Sequence, residues 1–189
     1  MRKLSLMLLA AAAVWSAAPA RAELPKTFED FQKIHTETSK TPEIASKLFL
    51  DAIYVYMNET TRDEGRKMIQ YMIIEYKDKP DWDKTPDARL FVDRLKAAGY
   101  QHIFRSYAKG TSPENGYKMD PENYEINIEK SNPKHEKAYQ VYWRSSGADN
   151  SRPVYFKQST KTALWYVYDH RNIYTDIRPP KDPNAEEFK

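Results

Sequence analysis

Residues 124–169 read YEINIEKSNPKHEKAYQVYWRSSGADNSRPVYFKQSTKTALWYVYD, and the period of this stretch decides the fold. Tyr124, Ile126 and Ile128 alternate with charged or amide residues. Tyr139, Val141 and Trp143 do the same, as do Val154 with Phe156 and Trp165 with Val167. Side chains two apart share one face of an extended strand, so these runs predict four half-buried strands. Turn chemistry separates them at Ser131-Asn132-Pro133, at Ser145 to Arg152 and at Ser159 to Thr162, which predicts an antiparallel meander. The opposite strand faces carry Tyr142, Tyr155, Tyr166 and Tyr168, so both faces of the sheet are expected to be partly aromatic.

Upstream the period is 3.6. Thr41-Pro42-Glu43 is a helix-start signal, with a hydroxyl to cap, a proline for the first turn and an acid at the positive end. Ala45, Leu48, Phe49, Ala52, Ile53 and Tyr56 then mark one apolar face, ending near Asn58. Thr61-Arg62-Asp63-Glu64 fits a capping box, followed by Met68, Ile69, Met72 and Ile73. These four side chains suit either a helix-face core, the simpler reading, or an adaptable pocket. Residues 77–84 read as a charged linker around Pro80. Thr85-Pro86-Asp87 repeats the start signal ahead of the stripe Leu90, Phe91, Leu95 and Ala98, with Gly99 as C-cap. Phe28, Phe31 and Ile34 suggest a short docking helix, and residues 109–123 a loop with no clear strand within 100–123. The expected fold is therefore α+β: N-terminal helices (about 28–108) packed on a C-terminal four-stranded antiparallel meander (about 123–177), with a loose tail over 178–189.

The first 22 residues, MRKLSLMLLAAAAVWSAAPARA, read as an export signal. A basic start precedes a short apolar run, Pro19 and a small-x-small site, with cleavage expected after Ala22. An uncleaved anchor is the alternative, but a membrane span needs roughly 20 apolar residues and this run is shorter. Residues 23–189 would then be one domain, periplasmic or secreted, with no membrane span. The segment holds three of the 30 basic residues and none of the 27 acids, so its removal leaves a formally neutral chain. Neutrality removes the general electrostatic footprint for nucleic acid, and basic–aromatic pairs such as Trp143-Arg144 read as ordinary strand faces. The absence of cysteine excludes disulfides and thiol catalysis.

The usual catalytic signatures are missing: no Gly-x-Ser-x-Gly, no phosphate-cradling glycine loop and no His-Glu-x-x-His. His35, His102, His135 and His170 lie at no metal-ligand spacing, and the acidic run at Asp81 lacks the glycine and glutamate of a calcium loop. No metal and no cofactor are expected. The densest polar cluster is Ser145-Ser146-Gly147-Ala148-Asp149-Asn150-Ser151-Arg152-Pro153. It is either a hairpin connection, with Arg152 bracing Asp149, or a ligand site offering Ser145, Ser146, Asp149, Asn150 and Arg152. A catalytic Asp149–His170 pair is geometrically open. The proline-rich tail suits a stop signal or an extended docking segment.

The runs VYWRSSGADNSRP (141–153), LWYV (164–167) and IRPP (177–180), with LFLDAIYVYMN at 48–58, resemble an uncharacterised family of exported bacterial proteins. That resemblance implies no assigned activity and transfers no catalytic residue. The order of helices then meander is also similar, at fold level, to NTF2-like cone folds, which implies a concave pocket between helices and sheet. The leading functional expectation is a non-catalytic binding module of the envelope. Its candidate contact residues are the five loop positions with Tyr142, Tyr155 and Tyr166, and its partner an unidentified small molecule or envelope protein. A structural or adaptor protein is the alternative, and a small hydrolase using Asp149, His170 and Arg152 the second.

Overall fold

Threonine hydroxyls start the first two helices. Thr27 Oγ1 accepts from the Asp30 amide at 3.1 Å and opens α1 (Phe28–Thr38), and Thr41 Oγ1 accepts from the Ile44 amide to open α2 (Pro42–Met57). Further helices are α3 (Arg62–Met72), α4 (Arg89–Lys96) and the single turn α5 (His102–Arg105). Four strands follow: β1 (Ile128–His135), β2 (Ala138–Trp143), β3 (Arg152–Gln158) and β4 (Trp165–Asp169). They form one antiparallel sheet in the order β1-β2-β3-β4, the expected α+β meander. This computed structural model describes residues 23–135 and 138–182; the expected signal with its Ala22 site, and the last seven residues of the tail, lie outside them.

α2 is the axis of the fold. It is apolar nearly all round, as a helix buried on every side must be, and Phe49, Leu50, Ala52 and Ile53 are fully buried. α3 crosses it at Gly65, where a Cβ would stand 2.2 Å from the Tyr56 backbone nitrogen, so only glycine permits this approach. The inner sheet face presents Val141, Trp143, Val154, Phe156 and Val167, all fully buried. Phe49 meets Trp143 with ring centroids 6.0 Å apart. Large side chains pack between α2 and the inner sheet face, where the cone-fold likeness implied a ligand concavity.

Several local expectations change in three dimensions. Thr61 makes no capping bond: its hydroxyl donates to Val55 O, and Glu64 accepts the Phe28 amide instead, tying α3 to the start of α1. The charged linker hides a core residue, since Trp82 is fully buried and stacks on Tyr76 at 4.7 Å. After Thr85 a 3-10 turn (Pro86–Ala88) comes before α4, which shifts the buried stripe to Ala88, Phe91, Val92 and Leu95. Leu90 is thereby left 46 % exposed, and α4 is capped at Ala97 rather than Gly99. The first strand begins later than expected and runs through Ser131-Asn132-Pro133 instead of turning there. β1 is an edge strand with two register irregularities, a setting that tolerates proline. Met68, Ile69, Met72 and Ile73 are core.

Candidate functional site

The 145–153 loop is a fastening between three parts of the chain. Ser145 is fully buried; its Oγ donates to Ser106 Oγ at 2.7 Å and accepts from the Gly147 amide at 3.0 Å. The Ser146 amide donates to Ser106 O at 2.9 Å, and its hydroxyl meets Thr111 Oγ1 at 3.0 Å. Gly147 packs so closely that a Cβ would stand 2.2 Å from Tyr117 Oη and 2.8 Å from Ile177 Cγ2. Its carbonyl accepts the Arg178 amide at 2.9 Å, and Tyr117 donates to Arg178 O at 2.7 Å. The SSGAD and IRPP motifs, distant in sequence, are the two halves of one clamp.

Asp149 pairs with Arg178, at 3.1 and 3.0 Å from the two terminal nitrogens, rather than with the expected Arg152. The reason is strand register. Arg152 opens β3 directly opposite Trp143, on the inner side of the sheet, and reaches Asp176 O at 3.2 Å. The expected loose tail is docked over its described part, for Lys181 also donates to Pro113 O and pairs with Glu114 at 2.9 Å. Among the loop positions, Ser145 and Ser146 face inward, while Asp149 and Asn150 face solvent.

His170 does not meet Asp149. It is 3 % exposed, ringed by Phe49, Phe91, Tyr76 and Tyr174, and its Nε2 lies 3.4 Å from the Tyr76 hydroxyl. Burial pushes its pKa down to about 3, so the ring is neutral. Its Nδ1 has no hydrogen-bond partner among the described residues. His35 is likewise buried, with Nε2 2.9 Å from Trp165 O, and desolvation lowers its pKa. No group of three or more His, Asp or Glu with the arrangement of a metal site occurs among the described residues.

The sheet tyrosines divide. Tyr166 is nearly buried, with His35 at 4.8 Å, Tyr71 at 5.7 Å and Lys77 Nζ over its ring at 5.0 Å. Tyr142 and Tyr155 are half-buried on the outer face, in rows set by register: Lys130–Tyr142–Pro153 and Asn132–Gln140–Tyr155. The Tyr142 hydroxyl donates to Gln140 Oε1 at 3.1 Å, and Lys130 Nζ sits 4.8 Å from its ring centroid. Lys157 covers Tyr168 at 3.5 Å. Tyr168 is 43 % exposed and enters a cleft of about 280 Å³ lined by Ile74, Glu75, Asp169 and Arg171. Ile74 is 41 % exposed, so two of the largest exposed apolar side chains share this cleft. Sequence reasoning did not find Ile74, whose apolar signal is absorbed into the Met68–Ile73 run before it.

Helices followed by a four-stranded meander, joined by a serine-glycine clamp, define the class of this protein. Residues 23–181 match the model of the family described as Domain of unknown function (DUF6935), and the chain belongs to that family. No curated protein and no solved structure matches it. No described helix is long and apolar enough to cross a membrane.

Proposed function

We propose that this chain is an exported, non-catalytic binding module of the bacterial envelope, and that it meets its partner through the outer face of the sheet. The observation that carries the reading is the division of that sheet. One face is sealed into the core, and the other offers Tyr142, Tyr155 and Tyr168 to solvent beside Lys130 and Lys157. Tyrosine suits this role because its large ring loses little conformational entropy while its hydroxyl stays wet. Asp149 and Asn150 project from the adjacent loop and extend the surface. Export is supported by the order of the first 22 residues and by a family match that begins at residue 23. The non-catalytic reading is supported by the buried, neutral His170, which lies apart from Asp149.

The test is native mass spectrometry and crosslinking on the protein recovered from its own periplasm. A reproducible added mass or crosslinked partner, lost when Tyr142 and Tyr168 are both changed to alanine with the melting temperature unchanged, is expected. A bare monomer with no crosslinked partner, or capture indifferent to both tyrosines, overturns the proposal.

A further inference from the structure

A second concavity, remote in sequence from the sheet, lies at the C-terminal end of α2. It encloses about 430 Å³ and is lined by Tyr54, Met57, Asn58, Gln101, Arg105, Lys118, Met119 and Pro121. That volume lies within the range of small-molecule sites. Tyr54, Met57, Met119 and Pro121 supply apolar walls, and the two thioethers adapt to irregular shapes. A smaller cleft of about 160 Å³ shares Tyr54, Asn58 and Pro121 and continues the groove toward Leu24 and Pro25.

The polar side of this cleft is cationic. Gln101 Nε2 donates to Met57 O at 3.4 Å, and its Oε1 accepts from Arg105 Nη2 at 3.0 Å, so the guanidinium is steadied with most of its donors still unspent. Among the described residues no carboxylate pairs with Arg105 or Lys118. No acid among the described residues lines this cleft; of those nearby, Asp51 is neutralised by Lys47, while Asp120 and Glu122 keep their charge but lie outside the lining. Asp51 holds Lys47 at 2.5 Å and the Tyr124 hydroxyl at 2.9 Å; Asp120 accepts the Glu122 amide; Glu122 accepts the Leu24 amide at 2.7 Å. The C-terminal end of α2 contributes about half a negative charge, well short of two full positive ones.

We infer that this cleft binds a small amphipathic organic anion. Its carboxylate or phosphate is taken by Arg105 and Lys118, and its apolar body lies against Tyr54, Met57, Met119 and Pro121. Guanidinium matches the paired oxygens of either headgroup, with Lys118 as a second, mobile charge. The inference is independent of the sheet-face proposal, because the two surfaces share no residue.

The experiment titrates the purified protein with hexanoate, hexyl phosphate, hexanol and phosphatidylglycerol vesicles, following the methyl resonances of Met57 and Met119. The two anions are expected to shift both methyls saturably, and about tenfold more tightly than hexanol. Either headgroup binding better supports the site and identifies which acid it prefers. Lys118→Gln and Arg105→Gln are each expected to weaken the anions several-fold and leave hexanol unchanged. Lys118 is exposed and its side chain bonds to none of the described residues, so its variant folds as the parent does. Tyr142→Ala is expected to leave hexanoate binding intact, so failure here and failure of the sheet-face reading are distinguishable. Absent or non-saturable shifts, equal affinity for hexanol, or indifference to both substitutions overturns the inference. So does binding to vesicles without binding of the free anions, which assigns the face to a membrane surface.

Discussion

Gly147→Ala tests whether the serine-glycine loop is a clamp on the tail. The added methyl would stand 2.2 Å from Tyr117 Oη and 2.8 Å from Ile177 Cγ2, where one of them must move. Neither moves freely. Tyr117 is fully buried at φ +54°, its hydroxyl is bonded to Arg178 O, and Arg178 is bonded in turn to the carbonyl of Gly147 itself. Overpacking of this kind costs about 1–3 kcal/mol, and displacing the Tyr117 hydroxyl from its acceptor adds about 1 kcal/mol. The expected loss is about 2–4 kcal/mol, a fall in melting temperature of roughly 5–15 °C for a chain of this size. Tyr117→Phe deletes the atom at 2.2 Å and by itself costs about 1 kcal/mol. If the contact is as described, the double variant is more stable than the sum of the single losses by at least about 1 kcal/mol. Thermal and urea melts followed by circular dichroism measure all four corners of the cycle. Additivity within about 0.5 kcal/mol, or a Gly147→Ala protein as stable as the parent, refutes the clamp.

Gly65→Ala is expected to lose at least about 2 kcal/mol by urea melt, because the methyl meets Tyr56 backbone atoms at 2.2 and 2.5 Å and backbone cannot step aside. Arg178→Ala is expected to cost less than about 1 kcal/mol, since its pair with Asp149 is solvent-exposed. A larger loss would mean that the ion pair, rather than Gly147 packing, holds the tail. Tyr124→Phe removes a hydroxyl bonded to the buried Asp51 carboxylate and is expected to cost about 1.5–3 kcal/mol, read by the same melts. Stability is expected to fall as pH drops from about 6.5 toward 3. His170 is neutral in the fold and its pKa is lowered to about 3, so the unfolded chain binds the proton first, each pH unit costing up to tenfold in the folding equilibrium. The groups bearing on His170 are Tyr76, Tyr174, Asp169 and Arg171. His170→Phe is expected to make this limb shallower, with His35, whose pKa burial also lowers, leaving a residual slope of the same sign. An unchanged acid limb would refute the assignment.

The positions where the fold departs from the sequence expectation share a cause. Local sequence shows which face of an element is apolar, and it does not show which distant segment covers that face. Trp82 looked like part of a charged linker because Lys79, Asp81, Asp83 and Lys84 surround it. It is buried because Tyr76 and Phe91 receive its ring, and Arg66 meets Asp83 at 2.8 Å. Leu90 looked buried because it fits the stripe, but a 3-10 turn before α4 rotates the helix by part of a turn. The Arg152–Asp149 brace was plausible by proximity in sequence and lost to register, which turns Arg152 inward and leaves Asp149 to Arg178.

Local pattern carries the switch from a 3.6 to a 2 period, the Thr41 start and Asn58 end of α2, the antiparallel meander and the apolar inner face. Each of these depends on neighbours a few residues apart. The packing of distant elements covers Tyr166 while Tyr142, Tyr155 and Tyr168 keep exposed surface, and it buries Ser145. The docking of the tail through Arg178 and Lys181, and the meeting of Arg105 and Lys118 with Tyr54 in one cleft, belong with these. Each rests on contacts between residues far apart along the chain, such as the 130 residues between His35 and Trp165. Such partners are chosen by the packing of whole elements, and no local pattern encodes them.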